Sequence, residues 1–315
     1  MPVTGFLCPK CNKSVPIEEA QEHFADVCAV MYHGSVQAII NNLGDERRAL
    51  GAGVSASQGS PEATCRRQVV LERFVPYSID IRMQEDAEEG SNYHSAFHKR
   101  GAGGVWAYET PLPGPADAGK PGVRRNAAGF YEYELWPDVW FSCMVDAHKN
   151  WKWIDDLKTA RPAKSMRCPK CNYYQSGKIW PPGNDNKAQL MLAKVVAERL
   201  GYGPVEQLRI WKYVRGCYEA AERHHPFVIM DGSREHPFWS EAQLEQHCRE
   251  HLSSMASMVR TAEALQGEPG WMFDAWLKAN VPLDGLERNL FNGKKCTMYC
   301  SVKDICFQLA GKARV

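Results

Sequence analysis

A chain of 315 residues that is 44% hydrophobic and 24% charged carries enough apolar surface for one large or two modest globular domains. Its formal net charge of +1 excludes the whole-protein basic field of a general nucleic-acid binder. The N-terminus MPVTGFLCPKC has no basic-then-apolar leader, and no apolar run approaches a membrane span, so a soluble, cytoplasmic protein without a membrane partner is expected. Twelve cysteines in such a chain point to metal ligation rather than disulfides.

The first cysteines lie in CPKCNKSVPIEEAQEHFADVC, which places Cys8, Cys11, His23 and Cys28 in the spacing C-x2-C-x11-H-x4-C. A C-x2-C knuckle offers two thiolates to one tetrahedral ion, and the helical stretch IEEAQEHFADVC can offer the other two ligands. The expectation is a CCHC zinc finger over residues 1–32, followed by a linker or helix over 33–59. This stretch resembles the small ubiquitin-binding fingers of the UBZ type, with x4 in place of their usual x3 before the last cysteine. DNA and a protein partner both remain open as its ligand.

Further along, Cys65 opens the helical pattern CRRQVVLERF, and GSNYHSAFH supplies Gly90 and His94, with His98 one turn on. Residues 101–128 are rich in Gly, Pro and Ala and read as a long loop. The stretch FSCMVDAHKNWKWIDDLKTA predicts a hairpin from Val145 to Trp153 that brings Asp146 beside Asp156 and Lys158. Side chains alternate faces along a strand, so Asp156 and Lys158 point one way, while Leu157 and Asp155 point the other. Two carboxylates and an ammonium on one spot are costly unless a divalent cation joins them. From Lys149 to Lys170 there are seven Lys or Arg against two acids, which suits a polyanion track beside that site.

An insertion around 165–180 repeats CPKCN, so Cys168 and Cys171 form a second knuckle; its other ligands stay open, and a ribbon shared with Cys8 and Cys11 is the alternative. Gln189 then opens a helix in NKAQLMLAKVVAERLGYG, followed by strands QLRIWKYVRG and PFVIMDG and a long helix from Ser240 to about Leu265. His224, His225, His247 and His251 offer metal-ligand atoms but read rather as exposed helical histidines, and Cys143, Cys217 and Cys248 as core or incidental thiols. The last cysteines, in CTMYCSVKDIC, are Cys296, Cys300 and Cys306.

A cysteine before a basic, apolar helix, with three more near the C-terminus, resembles the iron–sulfur group of RecB-type PD-(D/E)XK nucleases, which includes the AddB nuclease domain and the CRISPR-adaptation nucleases. The motifs occur in the family's order: G-x3-H at Gly90 and His94, Asp146, D-x-K at Asp156 and Lys158, and Gln189. Two departures are Ala193, where the family often has Tyr, and C-x3-C-x5-C in place of C-x2-C-x5-C. The resemblance implies an α/β (α+β) fold in which helices flank a central mixed sheet with a restriction-endonuclease-like core, over residues 60–315. It implies Mg²⁺ or Mn²⁺ held by His94, Asp146, Asp156 and the Leu157 carbonyl, with Lys158 and Gln189 completing the catalytic set. It also implies a 4Fe–4S cluster on Cys65, Cys296, Cys300 and Cys306, with zinc as the alternative. The implied activity is DNA hydrolysis, with DNA ends as partner and exonuclease action expected. A non-catalytic binding protein and a nuclease active only inside a complex are the competing readings.

Overall fold

In the computed structural model, which describes residues 3–31, 33–45, 54–55, 58–61, 64–101, 105–126, 129–160, 184–214, 224–281, 300, 302, 305–306 and 309, the chain divides into two units. One is formed by 1–52, 61–89 and 253–315, the other by 53–60 and 90–252. The fold is mixed α/β, with sheets flanked by helices.

The larger sheet belongs to the second unit and is built on β8 (Val139–Lys149). β8 alternates buried and partly exposed residues, as a strand with a core face must. Its first half pairs with β7 (Tyr131–Trp136) and, in parallel, with β3 (Val54–Ser55). Its second half pairs with β5 (Trp106–Leu112) and β9 (Trp153–Ala160). β6 (Val123–Arg125) extends the sheet beyond β7, while β10 (Gln207–Val214) and β11 (His224–Met230) extend it beyond β9. Strands β5 and β6 lie within the stretch expected to be loop; Pro111 is accepted because β5 pairs with β8 alone among the described residues.

The turn between β8 and β9 sets their register. Asn150 and Trp151 have φ of 48° and 58°, and Lys152 N–H donates to the Lys149 carbonyl at 3.0 Å. Two consecutive positive φ values give the primed turn whose twist matches a hairpin. Asn tolerates that conformation; Trp does so less readily, and its ring is held between His148 at 3.8 Å and Tyr202 at 4.6 Å. β9 and β10 run parallel, which requires a crossover, and α5 (Asn184–Arg199) lies within it. The helix is buried nearly all round, from Leu190 to Ala197, rather than along one stripe.

In the first unit, β1 (Val3–Leu7) pairs with β2 (Ser14–Pro16) and, in parallel, with β4 (Tyr77–Asp80). Gly5 allows the close approach, because a Cβ there would run into the Val15 carbonyl. Phe6, Phe24, Val36, Ile39 and Ile81 form the core at this end. A second core joins Val70 and Leu71 of α3 (Arg66–Phe74) to Ala262, Phe273 and Leu277, together with Cys300, Val302 and Cys306. The helix begun by a reciprocal Ser240–Gln243 capping box passes through a π turn at Cys248–Leu252 and continues to Ala264.

The histidine expectations change. His224 and His225 lie in β11, not on a helix. His251 is buried and its Nε2 lies 2.9 Å from the Gln58 carbonyl, while burial and then the neighbouring His251 push His247 down to about 4. A sequence window shows the i, i+4 spacing of these histidines but not the chain that covers them.

Asp155 is a structural carboxylate. It accepts from Arg209 Nε at 2.7 Å and Nη2 at 2.6 Å and from Trp211 Nε1 at 3.0 Å, and the guanidinium lies over Trp153 at 4.7 Å. Removing one partner strands the other charge in a largely buried place. Asp155→Ala should therefore lower the unfolding free energy by about 3 kcal/mol, and Asp155→Asn by less, measured in urea. A cost within error for Asp155→Ala would show that the pair is a surface contact.

Candidate functional site

Three groups of ligand-type side chains are built by these elements. The first is the N-terminal quartet. β1 delivers Cys8, the following turn Cys11, and the helical stretch beginning at Ile17 delivers His23 and Cys28. Their ligand atoms all lie within 4.8 Å of one another, so this group can hold a metal ion. Burial raises the Cys8 thiol, but the N–H groups of Cys11 and Lys10 and the His23 ring outweigh it and bring the thiol down to about 6. Burial, reinforced by Cys8 and Cys11, pushes Cys28 up to about 11. Cys8 is thus prepared as a thiolate, whereas Cys28 needs the positive charge of an ion to become one. Cys168 and Cys171 lie outside the described residues.

The second group sits where two strands part. β9 pairs with β8 only through Asp155, opposite Ala147, yet stays paired with β10 as far as Ala160. At the point of parting, Asp146 Oδ2 accepts from Leu157 N–H at 2.7 Å, so a side chain replaces the lost ladder bond. Asp156 Oδ1 accepts from Lys158 Nζ at 3.0 Å and from Gln189 Nε2 at 3.3 Å. Lys158 Nζ also donates to Gln189 Oε1 at 3.4 Å. His94 Nδ1 stands 3.6 Å from Asp146 Oδ2.

Helix α4 (Ile81–Gly101) brings His94. Helix α3 and strand β4 lie between Cys65 and this helix. A Cβ on Gly90 would stand 3.3 Å from Thr159 Oγ1, so glycine lets α4 lie close to β9. The side chain of His98 is not described. Together β8, β9 and α5 border a hollow lined by Asp146, Asp156, Gln189, Cys143 and Met144.

The electrostatics of this hollow are unbalanced. Burial, then the Asp156 charge, raises Asp146 to about 7 against the Leu157 N–H and Lys158. Burial and both carboxylates push the Cys143 thiol up to about 12. Asp156 Oδ2 is buried without a hydrogen-bond partner among the described residues. Carboxylates crowded with an orphaned oxygen are a hard donor set that fits a divalent cation. Glu109 had no signal in the sequence, because it sits in the Gly- and Pro-rich stretch. It lies across from Asp146 on β5, between the pairs Tyr108–Ala147 and Thr110–Val145, with φ of 46°, and its charge adds to the rise of Asp146.

The third group is sulfur. Cys65 caps α3, its Sγ accepting from Gln68 N–H at 3.4 Å, and Cys300 and Cys306 pack in the core formed with α3. Burial pushes Cys300 up to about 12, against the Val302 N–H and with Cys65 and Cys306 adding to it. Cys296 lies outside the described residues. A sulfur-only donor set suits zinc or an iron–sulfur group and not Mg²⁺ or Mn²⁺.

Two outcomes test these groups. Cys8→Ser should release the finger's metal, read by metal analysis of the purified chain; retention of a full equivalent would show that the quartet does not hold it. Asp146 is an acid whose pKa is raised from 3.8 to about 7 by folding, so the folded state binds the extra proton between those values and loses stability as pH rises through them. In buffer without added divalent cations, Asp146→Asn should therefore melt higher than the parent at pH 8 and like it near pH 4. Added Mn²⁺ should raise the parent's midpoint and not the variant's. A variant that melts lower than the parent at pH 8 would contradict this electrostatic account.

No family model matches the chain, and no curated protein matches it. Among solved structures, one described as the crystal structure of SSO0001 aligns over 88% of this chain and 96% of its own at 13% identity, with a TM-score of 0.42. That likeness is too distant to bear on function.

Proposed function

We propose that the chain is a metal-dependent DNA nuclease with a restriction-endonuclease-like core, related to the RecB-type PD-(D/E)XK enzymes. The observation that carries this reading is the convergence of Asp146, Asp156 and Gln189 on one hollow, with Lys158 bonded to Asp156 and Gln189 and with Asp156 Oδ2 lacking a hydrogen-bond partner among the described residues.

Asp146, Asp156 and His94, with the Leu157 carbonyl, would hold Mg²⁺ or Mn²⁺. When bound, such an ion lowers the pKa of water and stabilises charge on a scissile phosphate. Asp146 keeps one oxygen on Leu157 N–H, which fixes its orientation and leaves the other for the metal. Lys158 is tethered to Asp156 and Gln189 while a third of its side chain remains exposed. Its ammonium can orient the attacking water, and it can offset charge that develops on the phosphate. Gln189 bridges Asp156 and Lys158 and holds them at one spacing. The finger quartet would bind zinc and contact DNA or a protein partner. Cys65, Cys300 and Cys306, with Cys296, would hold a 4Fe–4S cluster that clips the two ends of the nuclease domain.

The test is cleavage of end-labelled single- and double-stranded DNA by the full chain in Mg²⁺ or Mn²⁺. Asp156→Ala and Lys158→Ala should each reduce the rate about a hundredfold or more. Asp155→Asn, whose carboxylate serves Arg209 instead, should stay within a few-fold of the parent. A parent chain inert on DNA and RNA in both ions would remove the nuclease reading and leave a binding protein; normal cleavage by Asp156→Ala would remove this site.

A further inference from the structure

Arg67 is the most deeply buried arginine of α3, with 3% of its surface exposed. Its Nε donates to Cys306 Sγ at 3.1 Å, 239 positions away in sequence, and its Nη1 donates to the Val281 carbonyl at 2.8 Å. Nη2 is buried and has no partner among the described residues, and no described carboxylate pairs with the guanidinium. An arginine cannot shed its proton to escape such a place, so a buried guanidinium without a carboxylate needs another source of negative charge. The partner it has instead is the Cys306 sulfur; Cys65 lies two residues before it at the head of the same helix, and Cys300 and Cys306 share the core that α3 forms.

Thiolates bound to a metal supply that charge, because a sulfur-ligated iron–sulfur or zinc group is anionic overall. We propose that Arg67 is the positioning residue of the three-cysteine centre: its guanidinium donates to the Cys306 sulfur, offsets the negative charge of the metal-bound thiolates, and keeps Nη2 as a donor to the group they hold. This rests on the reading of these cysteines as a metal centre. Hydrogen bonds to ligating sulfurs and nearby charge set both the grip of such a centre and its reduction potential. The Val281 contact has a different role, fixing the guanidinium so that Nε meets the sulfur.

The experiment uses the full chain purified anaerobically. Metal at the cysteines is followed by metal analysis beyond the finger's single equivalent, by thiolate-to-metal charge-transfer absorption, and by the rate of loss to a chelator. Arg67→Gln should fold, by circular dichroism, yet lose that metal about tenfold faster than the parent, whereas Arg67→Lys, which keeps the charge, should lie between them. Where the metal is iron, Arg67→Gln should also move the midpoint potential negative by about tenfold in the reduced-to-oxidised ratio, which is ~59 mV for one electron. Loss rates and spectra unchanged in Arg67→Gln would overturn the proposal. So would equal loss in both variants with an unmoved spectrum, since Arg67 would then only pack. If Arg67→Gln does not fold, Arg67→Lys carries the test, and a charge-transfer band identical to the parent's overturns it. A parent chain with no metal beyond the finger's equivalent would instead defeat the metal reading of the cysteines, and the proposal with it.

Discussion

The bond from Leu157 N–H to Asp146 Oδ2 is the contact on which the second unit's arrangement turns. Two strands leaving one hairpin would ordinarily continue as a ladder, and each unpaired amide between them would cost free energy. Here β9 abandons β8 after Asp155 and keeps β10 as its neighbour, so the amide at the fork must find another acceptor. A carboxylate takes that place. Asp146 then lines the same hollow as Asp156 and Gln189. The primed turn at Asn150 and Trp151 matters for the same reason. A slip of one residue in the hairpin would exchange Asp156 for Asp155 at the hollow and leave Arg209 without its carboxylate.

What the sequence made legible was local. Cys8, Cys11, His23 and Cys28 lie within one short window, so their convergence follows from a knuckle and a turn and a half of helix. Asp156 and Lys158 are two apart on a strand, and their common face needs no tertiary information. The pairing of Cys65 with the C-terminal cysteines could not come from spacing, because it depends on how α3 packs, and only the likeness to a family suggested it. Glu109 was invisible because Pro and Gly around it speak for loop, while the long partner β8 imposes a strand. His247 and His251 failed for the converse reason: their spacing looks like a helix surface, and the chain near Gln58 buries it. The near-complete burial of α5 was hidden as well, since a helix apolar on most sides resembles an amphipathic one with a few charges.

The ligand-type groups are chemically sorted. Oxygen and imidazole atoms line the fork of β8 and β9, whereas sulfur is gathered at the N-terminal quartet and at the head of α3. Hard cations prefer the first set and soft ones the second, so a metal suited to one kind of group is poorly suited to the other.

One consequence lies in the parallel pairing of β1 with β4. The finger is not a bead on a string: its first strand covers one side of β4, a segment 70 residues further along the chain. A chain clipped ahead of β4, or one whose β1 drifted, would deprive Tyr77–Asp80 of the strand it pairs with among the described residues. Bare strand flanks recruit their like from other molecules. The first symptom of a failed finger would then be turbidity in the tube, well before any change in what the rest of the molecule can bind or do.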